Sequence, residues 1–187
     1  IMAETKQLLC ELTGAVYVEL FLGSGTLAND VIGGQLRLLE STGLVLSNGE
    51  FGERLIDHAV RQGLTFEILR SPWGSPYDRK ALECLLNGRK DIAWLWSTHC
   101  ETSTGVLNDL PWLEDICRRN SVRLCMDCTS SLGTVPVDLG GVYLAGSVSG
   151  KGLASFPGIS MVFYNHEVNP DRRLPRYLDL GYYREQK

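Results

Sequence analysis

A glycine-rich turn near the start of the chain has the residue types of a phosphate-binding site. Residues 20–30 read LFLGSGTLAND, in which an apolar run ends at Leu22 and the turn 23–26 opens a helical pattern. A strand, a glycine turn and a helix N-terminus together favour an anion, because unpaired backbone N–H groups and the helix dipole point at one place. The sequence therefore predicts a phosphate cradle at this turn.

The same turn matches the dinucleotide-binding pattern GxGxxA at 23–28. A dinucleotide site also needs an acidic residue close to the end of the second strand, where it holds a ribose. Here the second strand ends in SN at 47–48, and the first acid, Glu50, falls a little late. NAD or FAD is therefore the less favoured alternative.

Two ionisable residues that follow other apolar runs suit pyridoxal phosphate. Asp127 comes directly after the run VRLCM, and Lys151 comes shortly after the run VYLAGSV. This cofactor needs a lysine for a Schiff base, a carboxylate against its pyridinium nitrogen and an anchored phosphate. Asp127 would favour the protonated ring because an opposite charge stabilises the charged form, and Lys151 could carry a proton to and from the substrate.

These residues follow the strands of a predicted α/β domain. Short apolar runs alternate with helical patterns, which is typical of a mainly parallel sheet flanked by helices. The predicted strands are 15–22, 43–47, 64–70, 91–98, 121–127, 142–148 and 160–165, and the predicted helices are 1–12, 26–40, 52–62, 78–87 and 111–119. In such sheets ligands bind beyond the carboxyl ends of the strands. Phe51, Thr102 and Ser103 also fall there, so an aromatic ring could stack on the cofactor and a hydroxyl could meet its phenolic oxygen.

Several boundary and histidine interpretations can be tested directly by a structure. Gly43 and Gly63 are interpreted as C-terminal stops of helices, and Asp109 with Pro111 as a helix start. His58 and His166 are interpreted as surface residues, and His99 as at most a residue of the site wall, because the three have no triad or metal spacing.

The composition excludes several classes of function. The net charge of -4 gives no basic footprint for nucleic acid, and no apolar run approaches the roughly 20 residues that cross a membrane. Among six cysteines, Cys125-x-x-Cys128 lacks a second pair for zinc, so we expect no metal and reduced thiols in a cytoplasmic protein. The chain begins inside a helical pattern and ends at YYREQK, so we expect a piece of a longer polypeptide.

Three motifs resemble the class V aminotransferases, a branch of the fold-type I pyridoxal phosphate enzymes. Residues 127–163 (DCTSSLGTVPVDLGGVYLAGSVSGKGLASFPGISMVF) resemble the signature region of that family. Residues 98–110 (THCETSTGVLNDL) are similar to the family pattern THxExSTGVxxPL, and residues 23–30 (GSGTLAND) to xSGTxAxE. The similarity runs almost continuously from about residue 15 to 165, with the motifs in the family order.

The resemblance implies a role for each matching residue. Lys151 would form the Schiff base and Asp127 would pair with the pyridinium nitrogen. The other implied cofactor contacts are Ser24, Gly25 and Thr26 at the phosphate, assisted by Ser149 and the backbone of Gly150, with Phe51 and Thr129 on opposite ring faces and Thr102 at the phenolic oxygen. Two residues depart from the family pattern. Gly150 replaces a phosphate-binding side chain, and Phe51 replaces the tryptophan of the alanine–glyoxylate members.

The resemblance also implies an architecture and a reaction. Residues 1–168 would be the pyridoxal phosphate-binding large domain, incomplete at its N-terminus, and 169–187 the start of the connection to a C-terminal domain. A homodimer would transfer an amino group between a small amino acid, or an aminophosphonate, and a 2-oxo acid such as glyoxylate or pyruvate. The alternatives are another fold-type I lyase or a desulfurase, and a non-catalytic incomplete domain. A desulfurase is disfavoured because its lysine typically follows a histidine, whereas Gly150 precedes Lys151.

Overall fold

The protein is represented by a computed structural model that describes residues 1–186, and Lys187 lies outside the described residues. The helices are α1 (Met2–Thr13), α2 (Gly25–Leu38), α3 (Glu50–Arg61), α4 (Arg79–Gly88), α5 (Leu110–Arg119) and α6 (Leu180–Glu185). The strands are β1 (Tyr17–Leu22), β2 (Thr42–Ser47), β3 (Phe66–Arg70), β4 (Ile92–Thr98), β5 (Cys100–Glu101), β6 (Val106–Leu107), β7 (Arg123–Asp127), β8 (Leu144–Val148) and β9 (Ile159–Tyr164). Every predicted strand and helix is present, and the predicted ends differ from the observed ones by about two residues at most.

Seven of the strands form one sheet in the order β1-β9-β8-β7-β4-β2-β3. All neighbouring strands are parallel except β9, which runs antiparallel to both β1 and β8. The prediction of a mainly parallel seven-stranded α/β sheet is therefore confirmed. Because β1, β2, β4, β7 and β8 share one direction, their carboxyl ends meet at a single edge of the sheet.

Helices cover both faces of this sheet, and each face has its own hydrophobic core. Side chains of α4 and α5 are buried on one face, and those of α2, α3 and α6 on the other. Successive residues of β4 point to opposite faces, so Leu95 joins the first core while Trp94 and Trp96 join the second. This double burial explains why β4 reads as a continuous apolar run.

Two of the three predicted helix boundaries are confirmed. The side chain of Asp109 accepts a hydrogen bond from the backbone N–H of Trp112 at 3.1 Å and so caps α5. Gly63 follows α3 with a φ of 67°. The interpretation of Gly43 as a helix stop is wrong, because this residue lies within β2. A Cβ there would come within about 2.0 Å of the Trp94 ring, so the glycine makes room for the indole.

The segment after residue 168 packs on the same face of the sheet as α2. A single 3-10 turn, Arg176–Leu178, precedes α6, and the side chain of Leu180 is fully buried in the core of that face. Gln35 of α2 donates a hydrogen bond to the carbonyl of Leu178 at 3.2 Å. Within residues 1–186, no helix has both the length and the apolar character needed to span a bilayer.

Candidate active site

The predicted site residues surround one cavity of about 440 Å³ at the carboxyl ends of the strands. Every residue predicted to contact the cofactor lines it except Ser149: the lining includes Ser24, Gly25, Thr26, Phe51, Thr102, Asp127, Thr129 and Lys151. The turns after β1, β7 and β8 and the start of α3 therefore converge on a single place, as expected for a sheet of this topology.

The glycine turn after β1 presents the N-terminus of α2 to this cavity. Ser24 is the N-cap residue, yet its side chain makes no capping hydrogen bond, and the helix begins at Gly25. The first backbone N–H groups of a helix have no acceptor within the helix, so those of Gly25 and Thr26 are available to an anion. The turn itself is held in place by the backbone bond from Gly23 N–H to the carbonyl of Gly158 at 2.8 Å.

Asp127 ends β7 with its carboxylate buried at the cavity wall. Asn29 Nδ2 donates to Asp127 Oδ2 at 2.8 Å, and the backbone N–H of Thr129 donates to Oδ1 at 2.9 Å. A buried carboxylate is costly unless it is hydrogen-bonded. Both donors that the described residues supply, a side-chain amide and a backbone N–H, are neutral. The negative charge is thus held but not neutralised. Beside it, the buried Thr129 Oγ1 has no hydrogen-bond partner within residues 1–186.

Lys151 lies in the turn after β8, with its side chain exposed at the cavity. Gly150 is required by a close approach, since a Cβ there would lie 2.7 Å from Pro157 Cβ. A larger side chain at position 150 would therefore collide with Pro157. The hydroxyl of Ser149 donates to the carbonyl of Phe156 at 2.7 Å and accepts from Ile159 N–H at 3.2 Å. Its hydroxyl therefore stabilises the lysine turn, and Ser149 does not line the cavity. Its contact with the phosphate stays a prediction.

Phe51 and Thr102 are positioned by Glu101, a residue that the sequence analysis did not single out. The Glu101 side chain is fully buried and accepts the backbone N–H of Gly52 at 2.9 Å. It also accepts the backbone N–H of Ser103 at 3.2 Å and the Ser103 hydroxyl at 2.5 Å. The carboxylate therefore joins the first turn of α3, which carries Phe51, to the β5–β6 hairpin, which carries Thr102.

Two basic side chains of α3 complete the wall. Arg54 lies over the Phe51 ring at 5.0 Å from its centroid and pairs with Glu50 at 3.1 Å. The interpretation of His58 as a surface residue is wrong. Its ring is buried, it lines the cavity, and its Nδ1 lies 2.8 Å from Asp30 Oδ1. Their positions at i+3 and i+7 from Phe51 on a helix are the signal that could have identified both residues.

The remaining histidines, and the cysteines Cys125 and Cys128, do not line this cavity. His166 is also not a free surface residue: it stacks on Tyr143 with ring centroids 3.9 Å apart, and burial lowers its pKa to about 4. His99 is buried without lining the cavity, and burial lowers its pKa. Cys125 and Cys128 are free thiols whose pKa values burial raises strongly.

The donor set of the cavity fits pyridoxal phosphate. An anion cradle at the start of α2, a hydrogen-bonded carboxylate at Asp127 and an exposed amine at Lys151 match the phosphate, the ring nitrogen and the aldehyde. Thr129 also lines the cavity, and its hydroxyl has no hydrogen-bond partner within residues 1–186. The fold and this set of groups define a domain of the fold-type I pyridoxal phosphate enzymes.

Comparison with known proteins points to the same group. A scan against models of protein families finds no match. The chain is 35% identical over 143 residues to a 2-aminoethylphosphonate–pyruvate transaminase of Pseudomonas entomophila, with 75% of this chain and 39% of the relative covered. It is 38% identical over 151 residues to a protein of Anabaena cylindrica named soluble hydrogenase 42 kDa subunit, with 76% and 39% covered. Among solved structures, an alanine–glyoxylate aminotransferase from Nostoc sp. superposes with a TM-score of 0.84 at 30% identity, with 96% of this chain and 50% of the other covered.

These comparisons confirm the resemblance stated from the motifs. The chain is a relative of the class V aminotransferases, which use pyridoxal phosphate, and its fold is that of the fold-type I enzymes. It spans about 39 to 40% of the length of the transaminases that it matches in sequence.

Proposed function

We propose that this chain is the cofactor-binding part of a pyridoxal phosphate-dependent aminotransferase. The substrates would be a small amino acid or an aminophosphonate and a 2-oxo acid such as glyoxylate or pyruvate. The observation that carries the proposal is the convergence on one cavity of the α2 N-terminus, the neutrally hydrogen-bonded Asp127 and the amine of Lys151. The names of the relatives support the reaction class and these substrate types.

Each residue has a distinct task in this proposal. The N–H groups of Gly25 and Thr26, with the Ser24 hydroxyl, bind the phosphate. Asp127 accepts a hydrogen bond from the ring nitrogen and stabilises its positive charge. The bound cofactor supplies the electron-withdrawing ring and the aldehyde that takes up the amino group. Lys151 then holds the proton that moves at the substrate Cα.

The side chains around the ring orient it and exclude water. Phe51 offers an apolar face for stacking, and Thr129 approaches from the turn after β7. A Cβ added to Gly25 would lie 3.0 Å from Thr129 Oγ1, so this threonine also sits against the start of α2. The Thr102 hydroxyl, at the cavity edge, would meet the phenolic oxygen.

We further propose that the protein acts as a homodimer in the cytoplasm, with residues 1–168 as the large domain. Two large apolar side chains that are neighbours in sequence of the cavity-lining Gly23 and Pro157 are consistent with a second copy: Leu22 is 75% exposed and Phe156 is 91% exposed. The six free cysteines support a reducing compartment.

The proposal is tested on the full-length protein. After addition of pyridoxal phosphate we expect a visible absorbance band, and borohydride reduction followed by peptide mass spectrometry should find the label on Lys151. The Lys151→Ala variant should lose the label, whereas Lys80→Ala, which removes an exposed lysine of α4, should keep it.

A spectral screen of amino donors then tests the reaction. Alanine, serine or aminoethylphosphonate should convert the bound cofactor to its amino form in one half-reaction. Retention of NAD without a chromophore would refute the cofactor assignment. Cofactor binding without conversion by any donor would instead favour a lyase, a desulfurase or a non-catalytic domain.

A further inference from the structure

Asn29 makes a buried contact that the family motif does not specify. It lies in the second turn of α2, at an unspecified position of the pattern xSGTxAxE, and only 6% of the residue is exposed. Its Nδ2 donates to Asp127 Oδ2 at 2.8 Å, although the two residues are 98 positions apart in sequence. The amide must present its nitrogen here, because a carboxylate oxygen only accepts hydrogen bonds.

A glycine in the neighbouring strand allows this contact. Gly146 of β8 is the register partner of Asp127 in β7. A Cβ at position 146 would lie 3.2 Å from Ala28 Cβ and 3.4 Å from Asn29 Oδ1, so α2 packs directly on the strand backbone. Because the helix comes so close, the short side chain of Asn29 reaches across β8 to the carboxylate on β7.

The same helix carries the predicted phosphate cradle one turn earlier. The cradle uses the N–H groups of Gly25 and Thr26, and Asn29 follows within four residues on a rigid helix. A single helix therefore carries both the anion site and one of the two donors that hold the Asp127 carboxylate. A neutral amide suits this task, since a cationic donor at the same place would neutralise the carboxylate.

We propose that Asn29 is a positioning residue that fixes Asp127 to α2, so that one helix sets the spacing between the phosphate cradle and the ring-nitrogen contact. The inference rests on the proposed function, because it assigns a role toward pyridoxal phosphate. It goes beyond that function by naming a residue that controls recognition of the ring nitrogen without controlling recognition of the phosphate.

The test measures equilibrium binding to the cofactor-free full-length protein, with three probes. These are pyridoxal phosphate, inorganic phosphate, and the analogue of pyridoxal phosphate in which carbon replaces the ring nitrogen. The variants are Asn29→Leu, which removes the donor at similar size, and Asn29→Ala, which serves if leucine does not fold. Gln35→Leu is the matched control, because it removes another buried amide of α2 that does not line the cavity.

We expect Asn29→Leu to weaken pyridoxal phosphate binding about 10- to 100-fold, the range for loss of the charged hydrogen bond between the ring nitrogen and an Asp127 carboxylate that is no longer held in position. Inorganic phosphate should bind the variant and the wild type alike, and so should the analogue that lacks the ring nitrogen. Gln35→Leu should bind all three probes as the wild type does.

Three results would overturn the inference. Equal loss of phosphate and cofactor binding would mean that Asn29 only supports the helix. Equal loss of the cofactor and of the analogue would mean that Asn29 contacts the cofactor directly. Unchanged cofactor binding would mean that the contact has no role. If the wild-type protein itself fails to bind pyridoxal phosphate, the proposed function fails, and this result is distinct from the other three.

Discussion

Replacement of Glu101 should both destabilise the fold and loosen the cofactor site. Its fully buried carboxylate joins α3 to the β5–β6 hairpin through the backbone N–H of Gly52 and through Ser103. In Glu101→Leu the buried N–H of Gly52 loses its acceptor, which costs about 1–3 kcal/mol. Ser103 is exposed, so its groups can turn to water at little cost. Loss of the buried charge offsets part of this penalty, and we expect a net destabilisation of about 2 kcal/mol.

The isosteric Glu101→Gln variant separates charge from shape. Its amide oxygen can still accept the N–H of Gly52, but its NH₂ group then faces the backbone N–H of Ser103. We expect a smaller loss of about 1 kcal/mol, because one good acceptor remains. Glu11→Gln is the control, since Glu11 is exposed and contacts only Gln7 among the described residues.

Urea unfolding of the full-length protein, followed by tryptophan fluorescence, measures these changes. The probes are Trp94 and Trp96, which are fully buried in the core that α3 covers. A titration with pyridoxal phosphate should show weaker binding in the same order, with leucine more affected than glutamine. If Glu101→Leu unfolds within about 0.5 kcal/mol of the wild type, the assigned role of the carboxylate is incorrect.

Three further predictions concern other contacts. Thr129→Val should leave the free energy of unfolding unchanged or raise it slightly, since the buried hydroxyl has no protein partner among residues 1–186. It should weaken pyridoxal phosphate binding about 3- to 10-fold. Equal binding by the variant and the wild type would show that Thr129 does not contact the cofactor. Gly146→Ala should push α2 from β8 and reproduce the binding pattern of Asn29→Leu, which equilibrium binding of pyridoxal phosphate and of inorganic phosphate checks. Burial and, to a lesser extent, the charge of Arg123 lower the pKa of His166 from 6.5 to about 4. Between pH 6.5 and pH 4, His166 therefore binds a proton in the unfolded chain but not in the folded one. Stability should therefore fall as the pH drops from about 6.5 toward about 4, by about 1–2 kcal/mol after allowance for solvent screening. His166→Phe should flatten this dependence in urea unfolding at pH 7 and pH 5, and an unchanged slope would contradict the assignment.

The sequence was sufficient to predict the sheet because each strand carries its own local signal. Apolar runs flanked by turn residues identified every strand of the main sheet, and the rule for carboxyl ends then brought the Asp127 and Lys151 turns together. Glycines were harder to interpret. The role of Gly43 depends on the indole of Trp94 in the neighbouring strand, so a local boundary rule could not predict it.

The features that the sequence alone does not predict depend on contacts between distant segments. Asn29 reads as one more polar residue on a helix until the register of β7 and β8 places Asp127 beside Gly146. Ser149 shares the cofactor motif, but the conformation of the following turn gives its hydroxyl to the carbonyl of Phe156. The contact between His58 on α3 and Asp30 on α2 has no counterpart in the sequence pattern, so the burial of His58 follows only from the packing of the two helices.

The electrostatics of the cavity bear on the proposed roles of Asp127 and Lys151, which line the same cavity. Asp127 is held by an amide and a backbone N–H, so within residues 1–186 no cation occupies the place that a ring nitrogen would take. Arg54 also lines the cavity, and its guanidinium is always charged. It forms an ion pair with Glu50 rather than with Asp127. Each carboxylate oxygen of Asp127 thus accepts a hydrogen bond from a neutral donor, and within residues 1–186 Asp127 forms no ion pair with Lys151. A direct Asp127–Lys151 ion pair would occupy the two groups that the proposed function assigns to the ring nitrogen and to the aldehyde, whereas the hydrogen bond from Asn29 leaves the charge of Asp127 in place.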